Sequence, residues 1–152
     1  MVTALFHPQI LIVPFGSVLY DEAVELRNRV LRVPLNLQFT SPQLSKEWKH
    51  YHFVYLDQIS MKVIGVLVMA PVDSVTVKMR QVAVDPFCQG QGIGRAMVVF
   101  AENWARINGF DRIKLSARKQ AVPFYSKMGY KTHGEEYLEV GIPHRDMYKN
   151  LI

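Results

Sequence analysis

The sequence predicts a mixed α/β fold, and three observations support this expectation. Candidate strands and helices alternate along the 152 residues in the order β-α-β-β-β-α-β-α-β-β. A strand past the middle of the chain leads into a glycine-rich turn, and this turn opens the clearest amphipathic helix of the sequence. The apolar positions of that strand change parity partway along it, which indicates a β-bulge. Periodicity alone does not give the order of the strands in the sheet.

The first half of the chain predicts one helix between short strands. A strand is expected over residues 9–15, a helix over residues 20–32, and a hairpin of strands over residues 51–56 and 62–70. Ala23, Leu26 and Val30 share one face of the helix. Pro34 and Pro42 mark the connection over residues 33–47 as a loop or a broken helix.

The second half of the chain alternates strands with helices. We expect a strand over residues 75–84, a helix over 92–108, a strand over 112–118, a short helix over 120–128 and a closing hairpin of residues 131–139 and 145–149. Gly109 and Gly129 end the two helices. The long helix carries a core stripe with a 3.6-residue period, formed by Ile93, Ala96, Met97, Phe100, Ala101, Trp104 and Ile107.

The strand over residues 75–84 changes its hydrophobic parity. Its apolar side chains fall first on Val75, Val77 and Met79, and then on Val82 and Val84. Because strand side chains alternate with a period of two, this change indicates one extra residue in the pairing, a β-bulge. Bulges bend strands and cluster beside active sites. An unbulged strand buried on both faces at its end would give the same pattern.

Composition and charge argue against several classes of protein. The length fits one domain, residues 1–152, with a sizeable core. The net charge of +5 comes without a long run of like charges, so no nucleic-acid arm is expected. The apolar run at residues 10–15 is too short for a signal peptide, and no run is long enough for a membrane span. Cys88 is the only cysteine, which favours a reducing, cytoplasmic setting, and no Cys/His cluster suggests a metal.

The glycine-rich turn at residues 89–95 predicts a phosphate-binding site. Gly90, Gly92 and Gly94 carry no Cβ atom that would keep a ligand off the backbone. The helix that follows offers unpaired N–H groups and the positive end of its dipole, and Arg95 adds a cation. A Walker A motif is absent, and Arg95 stands where a Rossmann fingerprint needs its third glycine. The pattern favours pyrophosphate capture outside those two classes, with a purely structural turn as the alternative.

Two consecutive motifs resemble those of a known superfamily. The run Arg80-Gln81-Val82-Ala83-Val84-Asp85-Pro86, followed by Gln89-x-x-Gly92-x-Gly94 and a long helix, is similar to the acetyl-CoA-binding motif of the GCN5-related N-acetyltransferase (GNAT) superfamily. The run Leu115-Ser116-Ala117-Arg118, with Ala121 and Phe124-Tyr125-Ser126-Lys127-Met128-Gly129-Tyr130, resembles that superfamily's next motif. Together they cover about a third of the chain in the expected order. Residues 25–32 and 141–144 resemble a bacterial subgroup of small single-domain members.

The resemblance implies a fold, an activity and a cofactor. The fold is a mixed, mostly antiparallel central sheet with helices on both faces, splayed at a β-bulge. The activity is transfer of an acetyl group from acetyl-CoA to a primary amine by direct attack in a ternary complex, with acetyl-CoA as co-substrate and no metal. The expected partner is a small-molecule or peptide amine, without nucleic acid or membrane, and the expected state is a monomer or a homodimer.

The resemblance also implies roles for individual residues. Tyr125 is expected to point at the CoA sulfur and to protonate the departing thiolate as general acid, because a phenol with a reference pKa of about 10 is protonated at neutral pH. The alternative is that Tyr125 belongs only to the buried face of a short helix. Backbone groups of the bulged strand are expected to pair with pantetheine and to meet the oxyanion. The cofactor-binding set is Val82, Ala83, Val84, Gln89, Gly90, Gln91, Gly92, Ile93, Gly94, Arg95, Phe124 and Lys127.

The sequence does not determine the general base. Residue type alone leaves five candidates, and a water chain would also serve. The candidates are His52, His144, Glu135, Glu136 and Asp85. His144 falls in the closing hairpin, and a histidine suits proton removal at neutral pH.

The acceptor amine is also open, and a rival function remains. Residues 33–47 and 135–143 are the candidate specificity loops. Antibiotic, peptide, polyamine and small metabolite amines all fit, although a polyamine needs several close carboxylates, and only Glu135, Glu136 and Glu139 approach that. The main rival is a non-catalytic acyl-CoA-binding sensor, which would keep the turn and have no use for Tyr125. A nucleotide-binding regulator fits less well, because no motif for a base or Mg²⁺ is present.

Overall fold

One sheet of seven strands organises the part of the chain that the structure describes. The computed structural model describes residues 5–152. The strands are β1 (Ile10–Val13), β2 (Tyr51–Leu56), β3 (Val63–Pro71), β4 (Thr76–Val84), β5 (Arg112–Arg118), β6 (Lys131–Glu139) and β7 (Ile142–Asn150). The α-helices are α1 (Val18–Arg27), α2 (Ser41–Leu44), α3 (Ile93–Ile107) and α4 (Val122–Lys127). The predicted order of strands and main helices is confirmed, and α2 is a single turn in the segment expected to be a loop or broken helix.

The sheet is mostly antiparallel, as the family resemblance implied. Its strand order is β1-β2-β3-β4-β5-β7-β6, and β4 and β5 form the parallel pair. A parallel pair needs a crossover, and α3 provides it, because this helix runs between the two strands in the sequence. The strand order therefore depends on one crossover and one closing hairpin, neither of which side-chain periodicity reveals.

Helices cover both faces of the sheet, as expected. On one face α1 packs over β2 and β3, where Leu26, Val54 and Val66 are buried together. On the other face α3 and α4 pack over the same sheet, and Met97 and Ala101 of α3 lie at the centre of that cluster. No helix within residues 5–152 has the length and apolar character needed to cross a lipid bilayer.

The core stripe of α3 differs from the expectation at its end. Trp104 and Ala105 are buried, but Ile107 is 50% exposed. Ile107 follows Trp104 by three residues and so fits the spacing of core positions, but it is the last residue of the helix, and the core does not extend to that end. The assignment of Ile107 to the core stripe is therefore wrong. The short helix expected over residues 120–128 also begins later, after a 3-10 turn over Lys119–Ala121.

The first helix begins and ends earlier than expected. Ser17 accepts a hydrogen bond from the N–H of Tyr20 at 3.2 Å, and this cap starts the helix two residues before the predicted position. Beyond Arg27 the chain continues as a π-helical turn, Asn28–Arg32. Pro34 has no N–H to donate, so the helical ladder stops there. The helix predicted over residues 20–32 is an α-helix only as far as Arg27.

The predicted β-bulge lies at Gln81 in β4. Val66 of β3 pairs with Ala83, and Val68 of β3 pairs with Arg80, so β4 has one more residue than β3 across this step. Gln81 is the extra residue, and its φ of +54° is a strained backbone conformation. The bulge is confirmed.

Because of the bulge, the residues of β4 that face the core under α3 are odd-numbered before Gln81 and even-numbered after it. Before it, Val77 and Met79 pack in the cluster under α3, and after it Val82 and Val84 pack against the same cluster. Ala83 faces the opposite side and is buried with α1. The alternative of an unbulged strand is wrong.

A buried ion pair holds the segment that follows α1 against that helix. Arg27 donates to both carboxylate oxygens of Glu47, at 2.8 and 2.7 Å, and the Tyr20 hydroxyl donates to the same carboxylate at 2.7 Å. Burial pushes the pKa of Glu47 up, but the hydrogen bonds and charge of Arg27 outweigh it and hold the pKa below its ordinary value. The stabilisation is therefore present above about pH 4.3 and is lost as the pH falls through the lowered pKa.

We expect Glu47→Gln to lower the free energy of unfolding by about 3 kcal/mol, because it leaves the buried charge of Arg27 without its counterion. Urea denaturation at neutral pH measures the change. Glu136→Gln is the matched control, since its pair with Lys119 is 3.5 Å long and exposed, and it should change stability by less than about 1 kcal/mol. Equal unfolding midpoints for the two variants would contradict the proposed role of the buried pair.

Candidate active site

A slot opens in the middle of the sheet where β4 leaves β5. The two strands pair only from Thr76–Arg112 to Met79–Leu115, and the bulge at Gln81 follows directly. The rest of β5 stays paired with β7, while the rest of β4 stays paired with β3. Because a bulge bends its strand, the second half of β4 turns away from β5 and leaves a gap between them.

A cavity of about 230 Å³ fills this slot, and residues from both faces of the sheet line it. Met79, Leu115 and Tyr125 line the part that belongs to the core under α3. Lys78 and Arg118, on the alternate positions of the same strands, line the part on the opposite face. Two reactants could therefore meet in the slot from opposite faces of the sheet.

The second half of β4 offers backbone groups to the slot. The N–H of Asp85 donates to Ile64 of β3 at 2.8 Å, so it points away from the slot. Since N–H groups alternate in direction along a strand, those of Val84 and Val82 point toward the open side. The side chain of Ala83 is buried with α1 and its N–H points toward β3, so Ala83 offers no hydrogen-bonding group to the slot. This edge has the form that accepts an extended ligand as an added strand.

The glycine-rich turn leaves its backbone open to solvent. Gly90 and Gly92 both have a φ of +80°, and open space surrounds the position of an added Cβ atom. The first hydrogen bond of α3 runs from the Ala96 N–H to the Gly92 carbonyl at 3.0 Å. The N–H groups of Ile93, Gly94 and Arg95 therefore precede the hydrogen-bond ladder of the helix. The Ile93 side chain is buried, so its contribution is limited to the backbone.

Gly94 joins the turn to the slot. A Cβ atom at this position would lie 3.7 Å from both Phe124 and Val84, so the helix start, the strand end and α4 converge here. The Gln89 side chain adds a further link by donating to the Val84 carbonyl at 3.2 Å. The remaining members of the predicted cofactor set, Gln91, Arg95 and Lys127, are exposed.

Tyr125 is the phenol of the cavity. Its ring is buried in the core under α3 and meets Phe124 edge to face, with ring centroids 5.0 Å apart. Burial raises the pKa of Tyr125, which keeps its hydroxyl protonated. The nearby Tyr130 donates to Glu102 at 2.9 Å, whereas the Tyr125 hydroxyl has no hydrogen-bond partner among residues 5–152. The Tyr125 side chain lines the cavity, and its hydroxyl is a donor with an unused proton.

His144 is the one predicted base that lines the cavity in the described part of the chain. Its Nδ1 lies 2.8 Å from the Ile142 carbonyl, which can only accept a hydrogen bond, so Nδ1 carries the proton. Nε2 is then the free acceptor of the neutral ring, and it lies 3.4 Å from Oε2 of Glu139. The ring stacks on Tyr137 at 6.1 Å between centroids. His144 can therefore take a proton at Nε2, and Glu139 can stabilise the resulting cation.

The other predicted bases lie elsewhere. His52 is buried beside α1, with Nε2 2.9 Å from the Glu47 carbonyl, and burial lowers its pKa. Asp85 accepts from the Phe87 N–H at 3.0 Å and from Arg29 at 3.2 Å. Glu135 and Glu136 are exposed on β6.

Sequence reasoning missed several residues of the cavity. Arg32 enters from the π-helical turn, and Arg80 and Gln81 flank the bulge. The polar residues that alternate with Val77 and Met79 were a usable signal, because they must face the side of β4 opposite the core. Arg118 lines this cavity and donates to the Leu31 carbonyl at 3.0 Å.

The family model of the acetyltransferase (GNAT) domain matches residues 31–151. The chain belongs to the GNAT family. YjcF of Bacillus subtilis, an uncharacterised N-acetyltransferase, is 36% identical over 74 residues, which are 48% of this chain and 53% of YjcF. YyaT of the same organism, an uncharacterised protein, is 32% identical over 76 residues, 50% of this chain and 51% of YyaT. The match spans about half the length of these curated relatives.

Solved structures of GNAT proteins share the whole fold. A Lactobacillus plantarum protein provisionally assigned as an N-acetyltransferase has a TM-score of 0.82 at 23% identity, over 95% of this chain and 99% of that one. Escherichia coli ElaA has a TM-score of 0.78 at 19% identity, over 93% and 98%. An aminoglycoside 6'-N-acetyltransferase complexed with coenzyme A has a TM-score of 0.76 at 15% identity, over 94% and 97%. The predicted fold and family are confirmed.

We expect Gly92→Val to weaken CoA binding at least about tenfold, because a β-branched residue rejects a φ of +80° and its side chain would project into the space over the turn. Calorimetric titration with CoA measures the change. Gly109→Val is the matched control: Gly109 has a φ of +84° and equally open surroundings, but it lies at the far end of α3. Both variants should lose similar stability. Equal CoA affinities in the two folded variants would mean that the phosphates bind elsewhere.

Proposed function

We propose that the protein is an acetyl-CoA-dependent N-acetyltransferase that moves the acetyl group to a primary amine by direct attack in a ternary complex. The observation that supports this most is the slot between β4 and β5, which opens to both faces of the sheet and has a protonated phenol on one of them. The reaction needs this access, because the thioester and the amine are separate molecules and the amine nitrogen must reach the carbonyl carbon of the thioester.

The cofactor proposal rests on the turn and on the strand edge. Gly90 to Arg95 would hold the pyrophosphate with backbone N–H groups, and the N–H groups of Val82 and Val84 would pair with pantetheine. Phe124 would contact the pantetheine arm, and Lys127 would approach the ribose phosphate from the end of α4. Two structurally similar proteins, the aminoglycoside 6'-N-acetyltransferase and a Bacillus subtilis acetyltransferase, were crystallised with CoA.

The chemistry follows from groups that line the slot. The amine nitrogen attacks the thioester carbon, and the carbonyl oxygen becomes an oxyanion that a backbone N–H of β4 stabilises. His144 Nε2 takes the proton that the amine loses, and Glu139 offsets the charge. The carbon–sulfur bond then breaks, and Tyr125 gives its proton to the thiolate. Burial raises the pKa of Tyr125, but a thiolate held in the same desolvated site also becomes more basic, which favours the transfer.

An acetyl-CoA consumption assay with a panel of amines tests the proposed function. Release of the CoA thiol should accompany formation of an acetylated amine of the expected mass. Tight CoA binding without thiol release from any amine would favour the rival, a non-catalytic acyl-CoA sensor. Thiol release without an acetylated amine would indicate only thioester hydrolysis.

We expect Tyr125→Phe to lower turnover by roughly 100-fold while the Kd for acetyl-CoA changes little, because only the donated proton is lost. Tyr130→Phe is the control, since it removes a buried hydroxyl that donates to Glu102 and does not line the cavity. The Tyr130 variant should lose stability and keep its turnover. Near-normal turnover in Tyr125→Phe would remove this residue from the mechanism.

For His144→Gln we expect a loss of roughly 100-fold in kcat/KM, because glutamine cannot accept the proton. His133→Gln is the control, as His133 is an exposed residue of β6 outside the cavity. Steady-state rates across the pH range measure both variants. An unchanged profile in His144→Gln would leave the amine proton to a water chain.

A further inference from the structure

Four cationic side chains surround the mouth of the cavity on the face opposite Tyr125. Lys78 and Arg80 come from β4, Arg118 from β5 and Arg32 from the π-helical turn after α1. They share a face because Val77, Met79, Leu115 and Ala117, which alternate with them on the two strands, are buried under α3. The one carboxylate on the lining is Glu139.

These four cations have no carboxylate partner within 4.0 Å in the described part of the chain. Arg118 donates to a backbone carbonyl, that of Leu31. The Arg32 guanidinium lies over the Phe39 ring, 4.5 Å from its centroid, and so is held in place by a neutral group. Glu139 faces His144 at 3.4 Å. By contrast, Arg27, Arg29, Lys119 and Lys149 all form ion pairs.

The cations also lie close enough for the charge of one to disfavour the charged form of its neighbour. Burial lowers the pKa of Lys78, and the charge of Arg80 lowers it further. Burial likewise lowers the pKa of Arg118, and the charge of Arg32 adds to the effect. Asp146 lies on the same face, but it accepts hydrogen bonds from Tyr137 and Ser116 at 2.6 and 3.1 Å. Like charges held together beside a cavity indicate a site for an anion.

We propose that the acceptor amine carries an anionic group, a carboxylate or a phosphate, which Arg80 and Arg118 bind with help from Arg32 and Lys78 while the amine points into the slot toward His144. This rests on the proposed acetyl transfer. Arginine binds both anions through paired N–H groups.

The same charges act on the reacting amine. A neighbouring cation lowers the pKa of an amine, so more of the acceptor is in the neutral form that attacks a thioester. A polyamine or another multiply charged cation would meet repulsion here. Of the acids considered for a polyamine site, Glu139 lines the cavity, and Glu135 and Glu136 do not.

Acceptors matched in length but not in charge test the proposal. One set is β-alanine, β-alaninamide and 1,3-diaminopropane; a second pairs 2-aminoethyl phosphate with ethanolamine; a third pairs α-amino acids with their amides. With acetyl-CoA, kcat/KM from thiol release should be at least about tenfold higher for the anionic member of at least one set. The sets separate carboxylate from phosphate as the preferred group. Equal or higher rates for neutral or cationic members in every set would overturn the proposal and leave acetyl transfer intact.

A binding measurement covers the case in which no amine releases thiol. The same compounds are titrated calorimetrically into the protein saturated with CoA. Tighter binding of an anionic member would support the anion site even though acetyl transfer had failed. Binding without a preference for the anion, or no binding, would overturn the anion site.

Arg80→Gln is the direct test of the residues. Arg80 is exposed, so its replacement leaves the core intact. KM for the anionic acceptor should rise about tenfold or more, KM for the neutral member should change less than about threefold, and the Kd for acetyl-CoA should stay the same. Lys114→Gln, which removes a cation of the same sheet face outside this cavity, should change none of the three. Weaker acetyl-CoA binding in Arg80→Gln, without a change in acceptor preference, would assign the cations to the cofactor and overturn the proposal.

Discussion

The extra residue at Gln81 is the constraint on which the rest of the site depends. It bends β4 away from β5 immediately after Met79, and the sheet gains a slot where a continuous sheet would be closed. A gap in the middle of a sheet costs backbone hydrogen bonds. The flanking pairs, β4 with β3 and β5 with β7, stay intact and hold the two halves apart. The opening is therefore a rigid feature of the fold, and Tyr125, His144 and the edge of β4 are arranged around it.

The two helical layers give the slot two different ends. The layer of α3 and α4 is apolar and places the Tyr125 hydroxyl in a desolvated setting. The opposite end is built by the π-helical turn and the β6–β7 hairpin, and it is rich in charge. Arg27 precedes that turn and Glu47 follows it, so their buried ion pair holds the segment after the turn against α1. The position of the charged end of the slot is consequently linked to the stability of this pair.

Local patterns were enough to predict the core of this account. A change of parity in the period-two pattern of β4 indicated the bulge, the 3.6-residue period predicted α3, and the glycines predicted the turn. Each of these signals lies within a few residues of the sequence. Ile107 was misplaced because the stripe was extended past the last turn that the sheet can cover. The end of α1 was misplaced because the change to a π-helical turn depends on hydrogen bonding that composition does not encode.

Residues whose positions depend on long-range contacts could not be placed from the sequence. Arg27 reads as a surface residue of an amphipathic helix, yet it is 1% exposed because a partner 20 residues later neutralises it. Arg32, Arg80 and Arg118 meet only because β4 and β5 are neighbours and then diverge, and strand order was not predictable from periodicity. Tyr125 could be named from its motif, but its free hydroxyl could not. Sequence patterns thus predicted the glycine-rich turn and the strand edge more fully than the charged end of the slot.

Amide hydrogen exchange at β4, followed by NMR with and without CoA, shows whether the strand edge beside the slot binds the cofactor. If the slot receives the pantetheine arm, the N–H groups of Val82 and Val84 should exchange more slowly in the complex, because they gain acceptors. The N–H of Ala83, which points toward β3, should be slow in both states. Saturation with CoA without new protection at Val82 and Val84, or with protection confined to the outer strands β1 and β6, would contradict the account.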